Sequence, residues 1–148
     1  MTRENAELWV VGIEPAPQGS KRYVGNGQFI EASKKLEPFR KSIGLAVQEL
    51  MAETGDLTPF TEPVIVRATF YMPRPKTVKR PWPSKVPDLD KICRSLGDSL
   101  SLPKYCDGNP LIEDDSLIVQ WQAQKVYGED WQIGVYCQIE LAKDRWVF

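Results

Sequence analysis

Hydrophobic and polar positions divide the chain into seven regular stretches. Leu8-Trp9-Val10-Val11-Gly12-Ile13 is a short apolar run and reads as a buried strand. Pro15 and Pro17 turn the chain after it. Residues 23–30 read as a small hairpin, with Asn26-Gly27 as its tight turn. The Gly-Asn-Gly there is turn chemistry, since no strand–G-x-x-x-x-G-K–helix pattern surrounds it. Ser33 is a candidate cap for the next helix. Pro38 is comfortable only in a first turn, so regular helix is predicted from Leu36. Phe39, Ile43, Ala46, Val47 and Leu50 share one helical face, and Gly55 is a natural stop.

Residues 63–72 predict a strand, with Val64, Val66, Ala68 and Phe70 alternating against Arg67 and Thr69. Five prolines (Pro73, Pro75, Pro81, Pro83, Pro87) then exclude helix and central strand from residues 73–87. A second helix fits residues 88 to about 100, with Leu89, Ile92, Cys93, Leu96 and Leu100 as its apolar face and Asp90, Lys91, Arg94, Ser95 and Asp98 on its polar side. Leu117, Val119, Trp121 and Ala123 alternate against glutamines in a half-buried strand ending near Val126. A turn at Gly128-Glu129-Asp130 leads to a last strand from Trp131 to Leu141. The order strand, hairpin, helix, strand, helix, strand, strand predicts a single α+β domain over residues 1–148, a mixed sheet with two helices on one face.

Composition narrows the chemistry. The 148 residues include no histidine, which excludes Ser-His-Asp and Cys-His catalysis and His-ligated zinc. The three cysteines are far apart and form no C-x-x-C, and with no signal-like N-terminus they point to a reducing cytoplasm. No apolar run is long enough to span a membrane. The net charge of −1 hides a segregation. Residues 14–41 sum to +3 and residues 74–94 to +5, whereas residues 42–73 sum to −3 and residues 107–148 to −5. A local polyanion-binding face is expected at the basic segments, above all at the loop carrying Lys76, Lys79, Arg80, Trp82 and Lys85.

Beside that loop stands Asp88-Leu89-Asp90, and Asp114-Asp115 precedes the strand near Leu117. If the helix start meets the strand start, four carboxylates converge. Two of them at 4 Å repel by about 4 kcal/mol at an effective dielectric near 20, so the cluster needs a proton or a cation. Oxygen ligands without His or Cys select Mg²⁺, with Mn²⁺ as substitute, and Mg²⁺ takes one or two carboxylates with waters and phosphate oxygens. That is the composition of a metal-dependent phosphodiester hydrolysis site. The same residues also fit structural roles. Asp88 can cap the helix, Asp90 suits its dipole, Asp90, Arg94 and Asp98 can form a surface ladder, and Asp114-Asp115 can be turn residues.

Pro87-Asp88-Leu89-Asp90-Lys91, with Arg94, Asp98 and Leu100, then Ile112-Glu113-Asp114-Asp115, resembles RusA-type Holliday junction resolvases. Gly12-x-x-Pro15-x-Pro17-Gln18-Gly19-Ser20-Lys21-Arg22 is similar to the N-terminal segment of many members, particularly phage and prophage ones. The resemblance implies a cytoplasmic homodimer that makes paired, Mg²⁺-dependent nicks in four-way DNA junctions. It implies metal roles for Asp88, Asp90 and Asp115, with Asp114 a weaker candidate. Where the family often has a catalytic or phosphate-contacting lysine one turn into the helix, this chain has Arg94, which clamps phosphate but does not readily exchange a proton. Lys91 and Lys125 are the alternatives, and Lys125 shares strand parity with Leu117 and Trp121, toward the helix-covered side. Lys21, Arg22, Lys76, Lys79, Arg80, Lys85 and Lys91 are the expected DNA contacts, and Trp82 either stacks on an unpaired base or packs. Other branched DNA as substrate, and a non-catalytic DNA-binding protein, are the competing readings.

Overall fold

The computed structural model describes residues 2–18, 21–26, 28–31 and 34–143, and over residues 21–23 and 28–31 it describes the backbone. The elements run β1 (Asn5–Val11), β2 (Lys21–Gly25), β3 (Gln28–Glu31), α1 (Leu36–Thr54), β4 (Val64–Met72), α2 (Leu89–Ser101), β5 (Ile118–Tyr127) and β6 (Gly134–Leu141). α1 starts at Leu36 with Pro38 in its first turn, and ends where Gly55 takes the left-handed conformation at φ 65°. The candidate cap Ser33 lies outside the described residues. β2 and β3 pair as the expected hairpin, with Asn26 at φ 53° in the turn, and form a small sheet of their own.

The main sheet is ordered β1-β6-β4-β5. β4 pairs antiparallel with β6 and parallel with β5, so the sheet is mixed and α2 lies in the crossover between the two parallel strands. Register aligns one face: Leu8 opposes Cys137, Cys137 opposes Ala68, and Ala68 opposes Ala123. That face is buried under Phe39, Ile43 and Val47 of α1 and Ile92, Leu96 and Leu100 of α2. The α+β fold with its mixed sheet and two helices is as the periodicity predicted. The opposite face carries Arg67, Thr69, Gln122, Gln124 and Gln138, with Trp9 tilted on Tyr136 at a centroid distance of 4.2 Å.

Three local readings change. The strand predicted at Leu8–Ile13 is the alternating edge strand β1, with Ala6, Leu8 and Val10 inside and Trp9 and Val11 exposed. An unbroken apolar run does not say which of its sides is covered. Ser95 is fully buried, because its hydroxyl donates to the Ala16 carbonyl at 2.6 Å. Trp131 sits exposed in a 3₁₀ turn, Asp130–Gln132, before β6 begins.

α1 packs against the segment after α2 at Gly44. A Cβ there would lie 1.7 Å from the Tyr105 carbonyl oxygen. Alanine gains about 1 kcal/mol of helix propensity over glycine, but a backbone clash of this size outweighs it. Gly44→Ala is expected to destabilise by about 3 kcal/mol, a fall in Tm of roughly 6–12 °C by thermal melting. An unchanged Tm would show that α1 and Tyr105 are not in this contact.

Candidate active site

α2 begins at the end of the proline-rich loop. Asp88 is its N-cap residue by backbone geometry, and its carbonyl accepts from the Lys91 and Ile92 amides at 3.2 Å. Its carboxylate makes no capping bond and lies 3.8 Å from the Lys91 ammonium. The capping role the sequence allowed is therefore not what the Asp88 side chain does. Asp90 is exposed in the first turn.

A cleft of about 680 Å³ runs between α2 and β5. Asp90, Arg94 and Asp98 line it from the helix, and Asp115, Trp121 and Ala123 from the other wall. Parity explains the second wall: Trp121 and Ala123 oppose Val66 and Ala68 of β4, on the helix-covered face. The direction of α2 is the reverse of the one that would bring all four aspartates together. Gly97 faces Trp121 and Ile118 near the start of β5, whereas the start of α2 meets Lys125 near the end of β5. Asp115 therefore stands opposite Asp98. At roughly 1.5 Å per residue, the Asp90 and Asp98 backbones are about 12 Å apart. The cleft has two acidic ends with Arg94 between them. Among the described residues, no three carboxylate or thiol side chains converge as a ready-made metal cage.

The two aspartates before β5 have separate environments. Asp114 accepts a hydrogen bond from the Ser116 amide at 2.8 Å and caps the 3₁₀ turn Asp115–Leu117. Its bonds to Ser116 hold its carboxyl below the ordinary value. Asp115 is pushed the other way, first by partial burial, then by the negative charge of Asp98 and the proximity of Asp114. A cation at this end would relieve that repulsion.

Asp98 was placed on the polar side of the helix by its spacing, but its role was not legible there. Among the described residues its ion pair is with Arg40 of α1, at 3.7 Å, and not with Arg94. Arg40 is itself largely buried, bonds Gln18, and donates to the Tyr105 hydroxyl at 2.9 Å. A helical-spacing rule sees only neighbours on the same helix, so this pair across α1 and α2 was missed. Cys93 lines the cleft too, but burial, helped by Asp90, raises its thiol to about 11, so it is protonated at neutral pH and is no nucleophile.

Lys125 lies on the helix-covered side, as its parity predicted, opposite the buried Phe70. Its ammonium donates to the Lys85 carbonyl at 2.8 Å and to the Pro87 carbonyl at 2.7 Å. The basic loop before Asp88 is folded on itself by Arg74. That guanidinium lies 4.0 Å over the Tyr127 ring and donates to the Arg80 carbonyl at 2.6 Å. Lys76, Lys79 and Lys85 are exposed, Arg80 is half-buried, and Trp82 is 57% exposed, so Trp82 does not pack under the loop. Lys21 and Arg22 sit in β2, their side chains outside the description, as are Gly19 and Ser20. No helix among the described residues is long and apolar enough to cross a membrane, and all three cysteines are free and buried.

An acidic cleft that starts two residues after a basic, arginine-braced loop has the parts of a nuclease site. A comparison with curated proteins returned no match. The family model for endodeoxyribonuclease RusA matches residues 12–140, most of the chain. That span takes in the basic loop and both acidic ends of the cleft, on α2 and in the turn before β5, and the chain belongs to the RusA family of endodeoxyribonucleases.

Proposed function

We propose that this chain is a Mg²⁺-dependent enzyme that resolves four-way DNA junctions by paired nicks, acting as a homodimer. The observation that carries it is the continuity of the basic loop with the acidic cleft: Pro87 ends the one and Leu89 begins the lining of the other. Resolution of Holliday junctions is what the family implies. The donor set fits a hard cation. It offers carboxylates without histidine, and Asp115 stands partly buried beside the like charge of Asp98. Asp88, Asp90 and Asp115 are the residues that would hold Mg²⁺, which supplies an activated water and charge stabilisation at the phosphate when bound.

Those three carboxylates do not reach one ion within a chain, since about 12 Å of helix separates the two ends of the cleft. A dimer removes the difficulty when Asp88 and Asp90 of one protomer meet Asp115 of the partner subunit. Two-fold symmetry then makes two equal sites, which suits a junction that is itself two-fold symmetric. Arg94, between the two acidic ends, binds the scissile phosphate as a fixed cation. Lys125 spends two of its three ammonium protons on the Lys85 and Pro87 carbonyls, which suits it to holding the loop. Lys76, Lys79 and Lys85 hold the flanking backbone, and exposed Trp82 is free to stack on a base at the crossover.

The test is cleavage of a labelled synthetic four-way junction and a matched linear duplex, with Mg²⁺ and with chelator. Symmetric paired nicks in the junction alone, lost in chelator, are expected. Equal cleavage of the duplex would move the assignment to a broader nuclease. Tight binding without cleavage in either Mg²⁺ or Mn²⁺ would overturn it.

A further inference from the structure

The basic loop reaches α2 through a segment with little backbone anchorage. Pro87 has no N–H to donate, and the Ser84 amide donates locally, to the Trp82 carbonyl at 2.9 Å. The carbonyls of Lys85 and Pro87 converge instead on one group, the Lys125 ammonium, at 2.8 and 2.7 Å. This lysine emerges on the covered face of β5, beside a fully buried phenylalanine in the register of β4. Lys125 is half-buried, with its stem on the apolar side and its ammonium turned to two specific backbone acceptors. Here the acceptors belong to the last residue of the phosphate-binding loop that bears charge and to the residue immediately before Asp88.

We propose that Lys125 is a positioning residue, a staple that ties the end of the basic loop to the end of β5 and thereby sets where Asp88 and Asp90 stand. The inference rests on the reading that these two aspartates hold a divalent cation. Charge-assisted bonds to two carbonyls fix both the distance and the direction of the chain entering α2. A neutral side chain in place of the ammonium leaves Pro87 untied, and the two carboxylates lose their alignment while α2 itself persists. Supporting contacts of this kind govern metal affinity by about 10- to 100-fold.

The experiment uses the full chain and Mn²⁺ as an EPR-visible probe, in the absence of DNA. Lys125→Met is expected to weaken Mn²⁺ binding by about 10- to 100-fold and to raise the Mg²⁺ concentration for half-maximal junction cleavage by the same factor. Lys125→Arg, which can still donate to both carbonyls, is expected to recover Mn²⁺ affinity relative to Lys125→Met. Should Lys125→Met not fold, Lys125→Gln serves, with one neutral donor and an intermediate loss of Mn²⁺ affinity. Wild-type Mn²⁺ affinity in either neutral variant overturns the staple, and so does an arginine variant no better than methionine. Asp90→Asn in the same assay separates the two claims. If it binds Mn²⁺ like the wild type, the carboxylate reading fails; if it loses the ion while Lys125→Met keeps it, only the staple fails.

Discussion

Asp90→Asn is expected to leave a folded protein that binds four-way junctions and cleaves them at least about a thousandfold more slowly, a barrier increase of about 4 kcal/mol. Asp90 is exposed in the first turn of α2 and faces the cleft, so nothing packs on it that an isosteric amide would disturb. Losing a negative charge at a helix N-terminus costs only about 0.3–1 kcal/mol of stability. The chemical loss is far larger, because a neutral amide is a poor partner for a hard dication and one carboxylate is a large share of the set Mg²⁺ uses. Single-turnover cleavage, melting and a binding titration in chelator separate the three effects. Equal cleavage by variant and wild type would remove Asp90 from the metal site.

The same variant tests how the site is assembled. Asp115→Asn subunits, inactive alone, are mixed with Asp90→Asn subunits and allowed to exchange. When one ion is shared across the dimer axis, the mixed dimer has one doubly altered site and one intact site. Single nicks then reappear without paired cleavage. With subunit exchange confirmed, a silent mixture would mean that each chain needs its own Asp90 and its own Asp115 at one site. The reverse packing of α2 on β5, which keeps Asp90 and Asp115 apart, leads us to expect the nicks.

Replacing Lys76, Lys79 and Lys85 together with glutamine is expected to flatten the salt dependence of junction binding. Each neutralised phosphate contributes about 0.9 to the slope of log K against log salt for duplex DNA, so three lysines account for about 2.7, and binding near 0.1 M salt should weaken by about a few hundredfold. All three are exposed and tie no element of the core. Arg74 stays, since its contacts with Tyr127 and the Arg80 carbonyl hold the loop's shape. A slope identical to the wild type would show that the loop does not face DNA and would move phosphate binding to the other basic segment, around Lys21 and Arg22.

Much of this protein was legible along the chain. Pro38 and Gly55 bound α1 because one residue is tolerated only in a first turn and the other relieves a left-handed stop. The alternation within residues 63–72 predicted the strand that forms as β4, and five prolines predicted the loop that follows it. Asp88 and Asp90 were found at the start of α2, and Asp115 just before β5. Periodicity of this kind reports which side of an element is apolar, because each side chain's direction is set by its own backbone.

What periodicity does not report is which element covers that side, or in which direction it runs. The sequence could place Asp98 on a polar face but not show Arg40 reaching it from another helix. It set the parity of Lys125 but not the two carbonyls it binds, which lie 40 and 38 residues away. It placed aspartates before a helix and before a strand, and left open whether those two starts meet. The parallel pairing of β4 with β5 and the packing of α2 across them decided that they do not. These are contacts between residues distant in sequence, and only the burial of the whole sheet under both helices sets their direction and register.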